Sequence, residues 1–266
     1  MSLKEAIKNV GMTVAPRMTM ELLSARSQKL IMEIEQKRGR VDASKAYVRE
    51  FGPAVTEGPF KGMVYPDMTI AERNLINKFI GAYEKQLYPW LETAVQKKPK
   101  KIVNIGSADG YYSVGLAMRC PDATVYSFDT DRWARGATQA LADVNNVKNI
   151  EVLAYCDTKW LKGNIGSDTL LLIDCEGGEM QLADAKRIPN LLDADLVIEL
   201  HDHVVPGIEE KIRSWYGETH TISAVDDPRH QPDAFPQLES VAPDMRMEVL
   251  TEGRGPDQRW LYLERQ

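Results

Sequence analysis

Four short blocks of this chain carry residue types that could do chemistry, and each follows an apolar run. The first is Asn104-Ile-Gly-Ser-Ala-Asp-Gly110. Glycines at these two places allow a tight turn and let a ligand approach the backbone, while a helix starting there offers unbonded N–H groups. The second is Asp129, at the end of Val125-Tyr-Ser-Phe128. A carboxylate about twenty residues beyond a glycine turn can accept hydrogen bonds from a ribose diol. The competing reading makes Asp129 a helix cap, shared with Asp131. A dinucleotide site would prefer GxGxxG, whereas this turn reads GxxxG and runs into the bulky Tyr111 and Tyr112. No GxxxxGK[ST] phosphate loop occurs. The pattern leans to S-adenosylmethionine (SAM) over NAD.

The third and fourth blocks are Ile173-Asp-Cys-Glu-Gly-Gly-Glu179 and Val197-Ile-Glu-Leu-His-Asp-His203. Methyl transfer needs an acceptor oxygen in line with the sulfonium and a way to weaken its proton. Two mechanisms can be built here. In one, Asp174, Asp202 and His203 hold a divalent cation such as Mg²⁺, which lowers the acceptor pKa by coordination. Imidazole is a poorer partner for Mg²⁺ than for Mn²⁺ or Zn²⁺. In the other, His201 or His203 is the general base, its ordinary pKa of about 6.5 suiting neutral pH, and Glu176 or Glu179 orients it. The plainer alternative gives Glu179 to a helix N-terminus and makes Glu199 an interior acid satisfied by Asn104 or Ser107.

These blocks need a scaffold, and the chain after Lys100 supplies one. Ile102–Ile105, Ala123–Phe128, Ile150–Ala154, Leu170–Ile173 and Leu196–Leu200 read as strands. Helical segments at Tyr112–Arg119, Trp133–Val144 and Gly207–Tyr216 fall between or after them. Near-continuous apolar strands alternating with helices imply a parallel sheet covered on both faces. His220–Val225 and Trp260–Glu264, joined by a polar, proline-rich stretch, suit an antiparallel pair at the sheet edge. The expected fold is α/β: a doubly wound, mostly parallel, seven-stranded sheet over residues 100–266, with a helical N-terminal extension over residues 1–99. In the extension, Met18–Lys37 reads as an amphipathic helix that Gly39 interrupts. A second helical stretch runs from Ala71 to Val95, kinked or broken at Pro89. Between them the Gly58–Pro66 loop is a candidate lid, and Tyr83-Glu84 a candidate cover for the methionine end of SAM. The first helix is a candidate homodimer contact or a dock for a carrier protein.

Composition limits the partners. Hydrophobic residues make up 43% and charged residues 27%, ordinary for a folded chain. The net charge of −6 gives no global attraction to nucleic acid. The run Lys97-Lys98-Pro99-Lys100-Lys101 reads as a soluble surface corner. Cys120, Cys156 and Cys175 show no CxxC pairing and read as free thiols in a reducing compartment. No apolar run approaches bilayer length, so no membrane partner and a cytoplasmic location are expected.

Taken together, Asn104–Tyr112, Val125–Asp129, Ile173–Glu179 and Val197–His201 resemble the FkbM-like methyltransferases in order and spacing, over roughly residues 100–203. The resemblance implies a class I methyltransferase fold, which is Rossmann-like, with SAM as donor and a small-molecule hydroxyl acceptor on a sugar, lipid or natural product. It implies that Gly106, Ser107 and Gly110 line the methionine and ribose of SAM, and that Asp129 holds the ribose hydroxyls. Thr130, Cys156 and Asp157 would meet the adenine. Tyr83, Asn104, Tyr112 and Asp174 complete the expected cofactor set, although Asn104 stands where many such enzymes have an acid. The Asp202–Gly207 stretch is similar to the metal-ligand segment of catechol O-methyltransferase-like enzymes, with His203 in place of asparagine. The rival functions are a nucleic-acid methyltransferase and a non-catalytic SAM-binding protein. The first is opposed by the acidic balance and by the lack of an Asn/Asp-Pro-Pro-Tyr/Phe segment.

Overall fold

A computed structural model describes residues 16–226, 230–252 and 258–266. Its centre is a seven-stranded sheet of β1 (Lys101–Ile105), β2 (Thr124–Phe128), β3 (Ile150–Leu153), β4 (Thr169–Ile173), β5 (Asp195–Leu200), β6 (His220–Asp226) and β7 (Arg259–Arg265). The spatial order is β3-β2-β1-β4-β5-β7-β6. The first five strands in that order run parallel, and β7 lies antiparallel between β5 and β6. This is the doubly wound, Rossmann-like, seven-stranded arrangement expected from the sequence. The order reverses at β1, whose neighbours are β2 on one side and β4 on the other. Ligands of such sheets bind outside the carboxyl ends of the strands at that switch point.

The strands are apolar on both faces because both are covered. Ile102, Leu170, Leu172 and Val197 pack into one core with the helix Tyr111–Arg119 and much of residues 41–96. Val103, Ile105, Leu171, Ile173, Leu196 and Ile198 pack into the other, with the helices Thr158–Asn164 and Ile208–Tyr216. Alternating residues of one strand therefore enter different cores, as the pleat requires.

The N-terminal region differs from its expected outline. The first helix spans Pro16–Lys37, and a second, Arg40–Phe51, follows it at once. Gly39, at φ 70°, reverses the chain between them in a conformation that a Cβ disfavours. The stretch expected as one helix from Ala71 to Val95 is instead two single turns, Ile76–Phe79 and Lys85–Leu87, followed by a helix, Tyr88–Gln96. Pro89 neither kinks nor ends a helix. It occupies the first turn of Tyr88–Gln96, where its missing N–H costs nothing. Between β6 and β7 only short turns and one helical turn, Arg246–Leu250, are described. Among the described residues, no helix is long and apolar enough to cross a membrane.

Candidate active site

The turn after β1 is held from both sides. The N–H groups of Gly106 and Ser107 donate to the Phe128 carbonyl at the end of β2, at 2.8 and 3.1 Å. On the β4 side, a Cβ at Gly106 would sit 1.5 Å from the Asp174 carbonyl oxygen, and its φ is 88°. No other residue fits. The demand for glycine thus comes first from the chain's own packing, with access for a ligand as its by-product.

Asp129 closes the same turn. Its Oδ2 accepts from the Ala108 N–H at 2.9 Å and its Oδ1 from the Asp131 N–H at 2.8 Å. Burial pushes its carboxyl up to about 6, against the lowering effect of those two N–H groups. The helix cap is Asp131, which accepts from Ala134 N at 2.9 Å and begins Arg132–Val144. Thr130 meets the first helix through a hydroxyl contact with Ser24. Arg135 bridges the two parts, donating to the Asp129 and Thr130 carbonyls and to Glu21. Beyond β3, Asp157 caps Thr158–Asn164 by accepting from Trp160 N at 2.8 Å. Cys156 is buried, and that burial raises its thiol to about 12.

Other expected cofactor residues face inward. Asn104 is buried and donates to Ser113 Oγ at 2.9 Å, and Ser113 donates on to Ser127 at 2.9 Å. That chain ties the helix Tyr111–Arg119 to β1 and β2, which explains an amide where the resemblance implies an acid. Ser107 is buried, its hydroxyl 3.4 Å from that of Thr138. Tyr112 donates its hydroxyl to Glu84.

Glu84 is the residue whose place the sequence shows least. It is fully buried in a left-handed conformation, with φ 46°. Its N–H donates to Glu252 Oε1 at 3.0 Å. Burial pushes its carboxyl far above the usual range, and Glu252 and Asp174 push it further. Tyr83 packs edge-on against Tyr111, with centroids 5.3 Å apart. Lys78 lies 4.7 Å from the Tyr83 ring centre and forms a buried pair with Asp109 at 2.6 Å. Asp109 in turn accepts from the Tyr111 N–H at 3.4 Å, at the start of the helix. A protein carboxylate therefore already occupies the positive end of that helix, where a pyrophosphate would bind. Beside it opens a pocket lined by Lys78, Tyr83, Asp109, Arg73, Trp133 and Glu252, among others.

Across the switch point, the acid blocks converge on His201. This imidazole is fully buried. Its Nδ1 is 2.9 Å from Glu179 Oε1. Its Nε2 faces Glu176 at 3.4 Å, Glu199 at 3.6 Å and Asp174 at 3.9 Å. Glu179 also accepts from the N–H groups of Cys175 and Gly177, at 3.0 and 2.9 Å. It therefore fixes the turn after β4 as well as the ring. Burial opposes the charged imidazole, but Glu179, Asp174 and Glu176 outweigh it and raise the His201 pKa. Burial pushes the Asp174 carboxyl up to about 7, with His201 acting against it and Glu176 and Glu179 adding to it.

The metal set read from the sequence is not brought together. Asp202 turns back to accept from the Gly207 N–H at 3.0 Å, capping the loop before Ile208–Tyr216. His203 is exposed, its ring centre 5.9 Å from that of His201. Of the expected ligands, Asp174 alone enters the cluster, with Glu176 and His201. The reason is local. In the turn Asp202–Gly207 the Asp202 carboxylate is taken up by the Gly207 N–H.

No family model matches the chain, and no curated protein matches it in sequence. Solved structures do resemble it. An rRNA methylase from Streptococcus thermophilus is 14% identical over 69% of this chain and 98% of its own, with a TM-score of 0.48. A putative methyltransferase from Streptococcus mutans in complex with SAH is 12% identical over 67% and 97%, at 0.45. A putative O-methyltransferase from Klebsiella pneumoniae is 14% identical over 66% and 79%, also at 0.45. Likeness at this level does not carry function, so the reading of function rests on the site itself.

Proposed function

We propose that this chain is a SAM-dependent methyltransferase of FkbM-like type that acts on a hydroxyl of a small molecule. One observation carries the reading. The carboxylate of Asp129 sits on a glycine turn at the switch point, the N-terminus of the following helix is already taken by Asp109, and the carboxyls of Glu84, Glu252 and Asp174 lie close to one another nearby. That arrangement opposes a pyrophosphate and suits a nucleoside whose far end is cationic, as the sulfonium and ammonium of SAM are. In this reading Asp129 takes the ribose diol. Thr130, Cys156 and Asp157 border the adenine, and Tyr83 and Glu84 close over the methionine end. The acid cluster around His201, whose ring Glu179 orients, lies on the acceptor side. The net charge of −6 also argues against a nucleic-acid acceptor.

Calorimetry with SAM tests the cofactor: one molecule bound per chain is expected, and tight NAD binding with no SAM binding would sink the reading. Incubation with methyl-labelled SAM and an extract of small metabolites then tests the acceptor. Label should appear in low-molecular-weight methyl ethers, and label in RNA instead would favour the nucleic-acid reading.

A further inference from the structure

His201 presents an anomaly for a merely structural histidine. Its ring is fully buried, yet Nε2 makes no hydrogen bond among the described residues. Buried polar nitrogens are almost always paired, and each exception asks for a reason. Three carboxylate oxygens, from Glu176, Glu199 and Asp174, surround it at 3.4 to 3.9 Å. These distances are long for hydrogen bonds, and they gather three carboxylates around one ring nitrogen. Two ligands each about 2.1 Å from a shared ion at tetrahedral angles are about 3.4 Å apart. Modest rotation of the side chains would bring the group to that spacing. Glu176 can supply the motion, since its side chain is 80% exposed.

We infer that Asp174, Glu176 and His201 form a binding site for a divalent transition-metal ion, with Glu199 at its inner wall. The chemistry of the donors is consistent with this. Two carboxylates and a neutral imidazole suit Mn²⁺ or Zn²⁺ better than Mg²⁺. Glu179 supplies the outer support that such sites use, since a carboxylate on Nδ1 fixes the tautomer that leaves Nε2 free to bind metal. One donor atom from each of the three residues lies within 4.8 Å of the others. The site is open to solvent on the Glu176 side and closed on the His201 side, which gives an ion a way in. The proposal is independent of methyl transfer and stands or falls on binding alone.

Titration of chelator-stripped full-length protein with MnCl₂ and with ZnCl₂ is the test, read by calorimetry and by elemental analysis after desalting. One ion per chain is expected. Mn²⁺ should also broaden the NMR signals of the His201 ring selectively. Glu176→Gln, on an exposed side chain that the fold does not need, should weaken binding by about tenfold or more, and Asp174→Asn likewise. Asp202→Asn should leave binding unchanged, because its carboxylate serves Gly207. If neither ion binds, or if both cluster variants bind as the parent does, the site does not exist and His201 is an imidazolium among carboxylates. If Asp202→Asn alone weakens binding, the ligand set is wrong.

Discussion

Asp129 shows how much one side chain can tie together. It holds two backbone N–H groups of the rim, and in the proposed function its remaining lone pairs receive a ribose diol. Its carboxyl is raised from 3.8 to about 6, chiefly by burial. For an acid raised in the folded state, the contribution to stability is fully present below the unfolded pKa and is lost as pH rises through the folded one. Asp129 should therefore lower the stability of the unliganded protein as pH rises from about 4 to about 6. Its effect on ligand binding has the opposite sign. The ionised form is the better acceptor, so affinity for SAM or its demethylated product should rise through about pH 6 and level off above it. Calorimetry across that pH range would show this. Asp129→Asn should flatten that rise and weaken binding by about tenfold, a loss of roughly 1.4 kcal/mol. An unchanged pH profile in the variant would assign the titration to another group.

At the scale of elements, the helix Tyr111–Arg119 is the joint between the N-terminal region and the sheet. Gly115 lets it work. A Cβ there would meet the Phe60 ring at 2.3 Å, so the loop carrying Phe60 lies directly on the helix. Gly115→Ala should force Phe60 out and lower stability by about 1–3 kcal/mol, the usual cost of overpacking. Gly136, within Arg132–Val144, is the opposite case, because a Cβ added there would meet nothing within 4 Å. Gly136→Ala should raise stability by about 0.5–1 kcal/mol through helix propensity. Thermal melts of the two variants should move in opposite directions, and a shared direction would refute the packing argument. Most elements of the sheet domain are legible in sequence because the parallel strands are short, mainly apolar runs, whereas the short helix Thr158–Asn164 has no such signal. The N-terminal region is less so. Leu75, Ile76, Phe79 and Ile80 have helical spacing, yet Gly81 and the bonds from Ala82 and Tyr83 to the Asn77 carbonyl end the turn there. Arg40–Phe51 is hidden behind Gly39, which stops one helix and starts the next. In the site, the glycine turn and Asp129 can be found from local spacing. Glu84 and Asp202 cannot be placed that way, since Glu84 depends on Glu252, far along the chain, and Asp202 on a turn whose hydrogen bonds no motif encodes.

Over the whole molecule, the N-terminal region divides into two parts with different duties. None of residues 18–37 is buried, and Met18, Leu22, Leu30 and Ile34 stand exposed on the first helix. Its polar side chains nevertheless reach the rim beside Asp129, through Ser24 to Thr130 and Glu21 to Arg135, and Gln28 and Glu35 reach Arg73. Residues 41–96 are the reverse case. Tyr47, Phe60, Leu75, Ile76, Phe79, Leu87 and Leu91 lie in the same core as Ile102, Leu170 and Leu172 of the sheet. Each such side chain contributes about 1.5–3 kcal/mol by its burial, so together their gross contribution is comparable to the whole net stability of an ordinary domain, about 5–15 kcal/mol. A chain beginning at Arg38 should fold, melting within a few degrees of the full protein, but bind SAM more weakly because the rim has lost its outer wall. A chain beginning at Lys100 should not fold, because one face of its sheet would be bare. Far-UV circular dichroism and calorimetry on both chains separate these outcomes. A folded, SAM-binding fragment from Lys100 would show that everything before it is an appendage and that the shared core is dispensable.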